Sequence, residues 1–200
     1  FGFLPFYPGP GLGGHCIPID PHYLAWKMKA HDFTARFIAL ASEINQEMPR
    51  LVVEKVMSGL NHHGKPVKGA RILALGVAYK KDVSDMRESP ALAVIEQLQA
   101  RGANVKYHDP YVPELVLESG TLASVPLNED NLRLADCAVV LTDHSSFDVP
   151  WIVKNSRLVV DTRNATRGLE TQYGEHILKL GAPEPFSYGH NGSHAGSEAA

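Results

Sequence analysis

The sequence has no long hydrophobic run, only two cysteines and no concentration of charge of one sign. No apolar stretch approaches the roughly 20 residues needed to cross a bilayer, and no signal-peptide pattern is present, so we expect no membrane partner. The net charge is −3 and no basic run is longer than two residues, which argues against a nucleic-acid partner. Two cysteines so far apart do not form a disulfide framework, and we expect a reducing, cytoplasmic location.

A metal site is not expected either, although the sequence contains ten histidines. The pair His62-His63 lies in a predicted connector and other histidines lie in the Gly/Ser-rich tail, so we find no set with ligand spacing. A GxGxxG dinucleotide motif that follows a strand is also missing. The chain opens on Phe1 and not on methionine, from which we expect the back part of a longer protein.

The most informative stretch that is present runs from Pro8 to Pro21, PGPGLGGHCIPIDP. Four glycines in six residues precede Cys16, and glycine lets backbone N–H groups approach a phosphate or an oxyanion closely. Asp20 follows the thiol by four residues, close enough to act as an acid, a base or a water-positioning group. The alternative is a proline-glycine turn with a small buried hydrophobe. Cys137, in the apolar run CAVVL, is instead predicted to be a core residue.

The residues around this loop are predicted to lead into it or to be helical. An aromatic segment from Phe1 to Tyr7 leads into the loop. Thr34 is the expected N-cap of a helix whose apolar stripe runs from Phe37 to Val56 and ends by Gly59, and Pro49 either kinks it or begins a new helix. A shorter helix after Pro21 is expected to turn four side chains toward a core: Tyr23, Leu24, Trp26 and Met28.

From Lys68 onward, short apolar runs alternate with amphipathic segments. The runs predict four strands, at 70–77, 104–108, 137–141 and 157–160, and the segments between them predict helices at 90–100, 128–134 and 149–155. This alternation is typical of an α/β protein with a Rossmann-like parallel sheet, here preceded by a helical segment. Residues 187–200 are rich in Gly, Ser and His and are predicted to be a disordered tail.

Ligands of such sheets bind beyond the carboxyl ends of the strands, and charged residues are found there in this sequence. The segment YKKDVSDMRESP, residues 79–90, follows the first strand and precedes a helix N-terminus, where backbone N–H groups and cations hold anions. Lys80 in this segment and Arg163 after the fourth strand are expected to converge on a diphosphate or a polar base. The alternative is a solvated surface loop without a ligand.

Four stretches in order, GLGGHCIPIDP, GVAYKKDVSDMRESPA, HDP and VVDTRN, resemble the UDP-glucose/GDP-mannose dehydrogenase family. The resemblance runs from about Phe6 to about Gly168 and is strongest to the UDP-N-acetylhexosamine 6-dehydrogenases, since UDP-glucose dehydrogenases usually carry lysine at the position of Ile19. It implies that residues 1–66 end a helical linking domain that carries the Cys16 loop. It also implies that residues 67–186 are a UDP-sugar-binding domain, with an NAD-binding domain upstream.

The resemblance implies a twofold oxidation of the C6 alcohol of a UDP-sugar to a carboxylate, with two NAD+. Cys16 would capture the aldehyde as a thiohemiacetal that becomes a thioester, and Asp20 would assist proton transfer and the hydrolytic water. Such a piece would be inactive without its NAD-binding domain, and its linking helix would form a homodimer or higher homo-oligomer. The implied substrate-binding residues are Tyr7, Gly13, Tyr79, Lys80 and Arg163, and the implied NAD-binding residues are Gly13 and Arg87.

Two other functions stay open from the sequence alone. A non-catalytic nucleotide-sugar-binding module would need only Tyr79, Lys80 and Arg163. A thiol hydrolase or transferase built on Cys16 would need a general base, and no histidine is obviously placed for that role. A GxGxxG strand-turn-helix unit upstream of Phe1 would favour the dehydrogenase over the binding module.

Overall fold

The computed structural model describes residue 2 and residues 7–186 of the chain. The helices are α1 (Cys16–Lys29), α2 (Arg36–His62), α3 (Pro90–Ala100), α4 (Glu129–Leu134), α5 (Val149–Asn155) and α6 (Glu170–Tyr173), the last followed by a 3-10 turn at Gly174–His176. The strands are β1 (Arg71–Leu75), β2 (Asn104–His108), β3 (Glu114–Leu117), β4 (Gly120–Ala123), β5 (Cys137–Val140), β6 (Val159–Asp161) and β7 (Ile177–Lys179). Most of the predicted aromatic segment and the whole predicted tail lie outside the described residues.

Five strands form one parallel sheet in the order β2-β1-β5-β6-β7. The predicted α/β class and the Rossmann-like parallel sheet are therefore confirmed. The order reverses between β1 and β5, because the chain moves outward to β2 on one side and to β6 and β7 on the other. A crevice opens beyond the carboxyl ends of the strands at such a reversal, and it is the usual ligand site of these sheets.

Successive residues of β1 enter different parts of the core because side chains alternate across a strand. Ile72 and Ala74 belong to a cluster that α2 and α3 cover, whereas Leu73 and Leu75 belong to a cluster under α4 and α5. Burial on both faces explains the continuous apolar runs that predicted the strands. Cys137 is fully buried in this core, as predicted.

The β3–β4 hairpin and the segment that holds α6, the 3-10 turn and β7 were not predicted from the sequence. β3 and β4 form an antiparallel hairpin, and only alternate residues of β3 are buried. β7 extends the sheet with three residues after the α6 segment. These strands are short, and their sequences lack the long apolar runs that mark the central strands.

The helical segment differs from its prediction in three ways. α1 already begins at Cys16. Pro18 is in the first turn, where its missing N–H removes no helical hydrogen bond, and the helix continues through Pro21, which lacks only the bond to the Ile17 carbonyl. None of the side chains of α1 is buried by the described residues, so its predicted core face was wrong. α2 is one helix that passes through Pro49 and extends to His62, and Ala35, not Thr34, is its N-cap.

The second half of α2 connects the helical segment to the sheet. Val52, Val53, Val56 and Leu60 are buried in the core, and Gly59 allows the helix to contact Leu158 and Leu178 directly. The first half is exposed, with Phe37 at 87% and Ile44 at 53%. No helix in residues 7–186 is apolar over a sufficient length to span a membrane.

Candidate functional site

The candidate site lies beyond the carboxyl ends of the strands, where the sequence predicted it, and the structure places it at the strand-order reversal. A small cleft there is lined by Tyr79 and Lys80 after β1, by Thr142 after β5 and by Arg163 after β6. The loops after β1 and β5 are joined by the Thr142 hydroxyl, which donates to the Ala78 carbonyl at 2.6 Å. The cleft encloses only about 10 Å³, room for about one water molecule, so a nucleotide can enter only if side chains at its mouth move.

A buried acid, Asp109, holds the loop that carries Tyr79 and Lys80. Its Oδ2 accepts hydrogen bonds from the Val77 N–H at 2.7 Å and from His144 Nε2 at 3.0 Å, and its Oδ1 accepts from the Tyr111 N–H at 2.8 Å. Burial alone would raise the pKa of Asp109, but these hydrogen bonds outweigh it and hold the pKa below its usual value.

His144 extends this network to the far side of the same loop. Its Nδ1 accepts from the backbone N–H of Asp82 at 3.0 Å, while Nε2 faces Asp109. Because Nδ1 is an acceptor, the proton of the neutral ring lies on Nε2. The Asp82 carboxylate in turn accepts from the N–H and hydroxyl of Ser145, so the loop after β1 is tied to the loop after β5.

Arg163 is positioned by a second buried acid, Asp161 at the end of β6. One oxygen of Asp161 accepts from the backbone N–H groups of Arg163 at 2.9 Å and Ala165 at 3.1 Å, and the other accepts from Thr166. The Arg163 side chain is 29% exposed, and its Nε is 3.3 Å from Asp143 Oδ1. The guanidinium is thus directed to the cleft.

The glycine loop before Cys16 lies directly on this site. Gly9 packs against the Arg163 guanidinium, and Gly13 contacts Tyr79 and the Glu88 carbonyl. Gly14 has φ +91° and lies under the Tyr79 ring, and its N–H donates to the Arg87 carbonyl at 2.9 Å. A side chain at Gly13 or Gly14 would collide with these groups, and positive φ favours glycine. The glycines therefore allow close approach to protein, and the Gly14 amide is already occupied by the Arg87 carbonyl.

Cys16 and Asp20 lie on α1 and not in an extended loop. Cys16 is the first residue of the helix and is exposed, and Asp20 follows one turn later on the same face. Cys16 and Tyr79 are both close enough to Arg87 to interact with its charge. The thiol therefore lies within electrostatic range of Arg87 in the loop that follows β1.

Arg87 is held by its neighbour Asp85 in a forked ion pair. Nη2 is 2.7 Å from Oδ2, and Nε is within 3.1 Å of both carboxylate oxygens. These bonds lower the pKa of Asp85 to about 2. The Arg87 side chain is 65% exposed, and its Nη1 has no partner among residues 7–186. One edge of the guanidinium therefore remains available to an anion such as a phosphate.

Two of the predicted substrate residues are less well placed. Lys80 is exposed, with its ammonium 5.6 Å from the Tyr79 ring centroid. Tyr7 is 74% exposed, and no hydrogen bond within the described part of the chain connects it to the cleft. The structure thus brings together Gly13, Tyr79, Arg163 and, at the mouth, Lys80, while a role for Tyr7 stays a prediction.

Comparison with known proteins bears on this site. Residues 73–168 match the UDP binding domain of the UDP-glucose/GDP-mannose dehydrogenase family, and residues 1–47 match the central domain of the same family. A UDP-N-acetyl-D-mannosamine dehydrogenase of Methanococcus maripaludis is 39% identical over 166 residues, which cover 78% of this chain and 36% of that protein. An NDP-N-acetyl-D-galactosaminuronic acid dehydrogenase of Ralstonia nicotianae is 34% identical over 161 residues, with coverages of 78% and 36%.

Solved structures of two such dehydrogenases superimpose on most of this chain. A UDP-D-ManNAc dehydrogenase from Pyrococcus horikoshii superimposes with a TM-score of 0.72 at 28% identity, over 88% of this chain and 40% of that one. An NDP-N-acetyl-D-galactosaminuronic acid dehydrogenase from Methanosarcina mazei superimposes with a TM-score of 0.73 at 28% identity, over 88% and 39%. The chain therefore spans little more than a third of the length of the relatives that it matches.

Proposed function

Because the chain belongs to the UDP-glucose/GDP-mannose dehydrogenase family, we propose that it is the substrate-binding and thiol-bearing part of an NAD-dependent UDP-sugar 6-dehydrogenase. The observation that carries the proposal is the contact of the Cys16 loop with the cleft residues Tyr79 and Arg163. Cys16 follows Gly14 by two residues, and Gly14 packs on the Tyr79 ring. In this proposal the thiol therefore acts on the sugar of a nucleotide that lies against Tyr79. The similarity to relatives named for N-acetylated sugars favours a UDP-N-acetylhexosamine.

In this proposal the uridine diphosphate occupies the cleft at the strand-order reversal. Arg163 moves off Gly9 and Asp143 to pair with a phosphate, and Lys80 supplies a second cation from the mouth. Tyr79 offers a half-buried ring edge beside them. The networks around Asp109 and Asp161 hold both loops in place while these longer side chains move.

Cys16 then acts on the C6 aldehyde. Its sulfur bonds to the carbonyl carbon while the thiol proton moves to the aldehyde oxygen, which gives a thiohemiacetal that is a good hydride donor. After this adduct is oxidised, the thioester carbon is attacked by water, the C–S bond breaks, and the sulfur regains a proton. Asp20, one helical turn away, is the group proposed to take the proton from that water.

NAD+ supplies the hydride acceptor for both oxidations, and the described residues fit it only in part. Arg87 has an exposed guanidinium edge and lies within electrostatic range of Cys16, which suits a cofactor phosphate. The turn between β1 and α3, however, contains GVAYKKDVSDMRES and not the GxGxxG that binds a dinucleotide. Within residues 7–186, therefore, Arg87 and the Gly13 segment are the only proposed cofactor contacts.

A second copy of the chain is the proposed partner of the exposed helical face. Trp26 on α1 is 72% exposed and Phe37 on α2 is 87% exposed, and large exposed apolar patches usually mark interfaces. This arrangement fits the homo-oligomer that the resemblance implies. A reducing, cytoplasmic location suits a mechanism that depends on a free thiol.

Titration of the chain with UDP in a calorimeter tests the proposal. We expect Arg163→Ala to weaken UDP binding about 10- to 150-fold, because one charge-assisted contact is worth roughly 1.5–3 kcal/mol. Arg167→Ala is the matched control, since Arg167 is an exposed arginine of the same loop. Absence of heat with millimolar UDP, or equal affinity of both variants and the wild type, would remove the cleft as the nucleotide site.

A further inference from the structure

The position of Cys16 depends on few contacts, because α1 buries none of its side chains. Two polar links join this segment to α2. The Ser42 hydroxyl and His22 Nε2 are 3.0 Å apart, and Asn45 contacts the loop at Leu12. A third link is the hydrogen bond from Gly14 to Arg87. The geometry of the thiol is therefore set by a small number of identifiable hydrogen bonds.

Asn45 makes the most specific of these links. Its Oδ1 accepts from the Leu12 N–H at 2.6 Å, and its Nδ2 donates to the Leu12 carbonyl at 3.1 Å. The side chain thus binds both polar groups of one residue across 33 positions of sequence. An amide side chain can donate and accept at the same time. A carboxylate could only accept, and an aliphatic side chain could do neither.

The backbone around Asn45 is also suited to this contact. Pro49 lies four residues later inside α2, and proline has no N–H to donate to the Asn45 carbonyl. Gly11 packs at this point, since a Cβ there would be 3.5 Å from both the Asn45 carbonyl oxygen and its Oδ1. The second half of α2 is anchored in the core through Val53 and Val56. Asn45 lies in the first half of α2, about two turns before Val53, so it connects the loop to the same continuous helix that is anchored in the core.

We propose that Asn45 is a positioning residue for Cys16, holding the loop through Leu12 so that Gly13 and Gly14 dock on Tyr79. Its importance for catalysis rests on the function proposed above for Cys16. The docking role itself does not depend on that function, and the two can be tested separately.

Amide hydrogen exchange of the 15N-labelled chain, corrected for intrinsic rates, tests the docking. Loss of two hydrogen bonds in Asn45→Ala is expected to accelerate exchange of the Leu12 amide about 10- to 30-fold. Exchange of the Gly14 amide should accelerate as well, because the bond to Arg87 depends on the docked loop. Gln46→Ala is the control, since Gln46 is exposed and bonds only to Ser42 among the described residues.

Asn45→Asp gives a readout that a general loss of stability would not. At pH 7 the new carboxylate faces the Leu12 carbonyl. Exchange of the Leu12 and Gly14 amides should therefore accelerate, and the resonances of Cys16 should shift. As pH falls toward about 4 the carboxyl gains a proton, regains a donor, and the wild-type protection and resonances should return. Gln46→Glu introduces the same charge at the neighbouring position. Its amide exchange and Cys16 resonances should match those of the wild type at pH 7 and should not respond to acid.

Any of these results would overturn the proposal: protected Leu12 and Gly14 amides in Asn45→Ala, changes equal to those in the Gln46 variants, or no acid rescue in Asn45→Asp. Loss of Leu12 protection without any change at Gly14 and Cys16 would also overturn it, since the contact would then not position the thiol. UDP titration of the wild type is the separate test. If UDP does not bind, the dehydrogenase proposal fails while the comparison of Asn45 variants still decides the docking role.

Discussion

Gly13→Ala is the substitution that most directly tests the docking of the glycine loop on the site. An ideal Cβ at Gly13 would lie 2.5 Å from the Glu88 carbonyl oxygen and 2.8 Å from the Tyr79 Cβ. Carbon and oxygen atoms in close contact lie about 3.3–3.6 Å apart, so the two backbones must separate by roughly 0.8 Å. The hydrogen bond from Gly14 to Arg87, now 2.9 Å, would then exceed the usual range.

The expected cost is the sum of overpacking, about 1–3 kcal/mol, and one lost hydrogen bond, about 0.5–1.5 kcal/mol. If the loop unfolds with the domain, Tm falls by roughly 2–4 °C per kcal/mol. If the loop detaches alone, Tm is kept but the Gly14 amide loses its protection from exchange. Gly174→Ala is the control, because Gly174 has helical φ of −53° and open space around it. Wild-type Tm and wild-type Gly14 protection together in Gly13→Ala would refute the reasoning.

Two further predictions concern the thiols and the buried acid. Iodoacetamide at neutral pH should alkylate Cys16 at least about tenfold faster than Cys137. Cys16 is exposed, whereas burial raises the pKa of the Cys137 thiol. Equal labelling of the two thiols in timed peptide mapping would contradict the assignment of Cys16 as nucleophile. Asp109 has a folded-state pKa below its unfolded value, so its contribution to stability is present at neutral pH and is lost as pH falls from about 4 toward the folded pKa. Asp109→Asn should lower the free energy of unfolding by about 3–5 kcal/mol at pH 7 and by less in acid. Urea unfolding at pH 7 and at pH 3 measures this, and an equal loss of unfolding free energy at the two pH values would refute it.

The central sheet could be predicted from the sequence because its strands are buried on both faces. β2, α3 and α5 were predicted with the bounds that they have in the structure. β7 was not predicted, because a three-residue strand has too little apolar sequence to stand out. The core face predicted for α1 failed since its apolar side chains have no cover within the described residues.

The structure brings several of the predicted site residues together beyond the carboxyl ends of the strands, and their role in binding stays a prediction. The glycines before Cys16 predicted a close backbone approach, but the group approached is the protein's own Tyr79 loop. Asn45 and Asp109 were not predicted as site residues, because their hydrogen bonds reach across 33 and 32 positions and leave no periodic pattern. The motif HDP, which contains Asp109, was the one signal that could have indicated the second of them.

The central claim is that the crevice at the strand-order reversal binds uridine diphosphate. Titration of the 15N-labelled chain with UDP, followed by two-dimensional NMR of the backbone amides, tests it most directly. We expect the largest changes in amide chemical shift at the residues that follow β1, β5 and β6, namely Tyr79, Lys80, Thr142 and Arg163. Smaller changes are expected in the Gly9–Gly14 loop. Shifts centred instead on the groove beside Arg71 and Asn104, at the amino ends of β1 and β2, would contradict it; this groove has a volume of about 350 Å³.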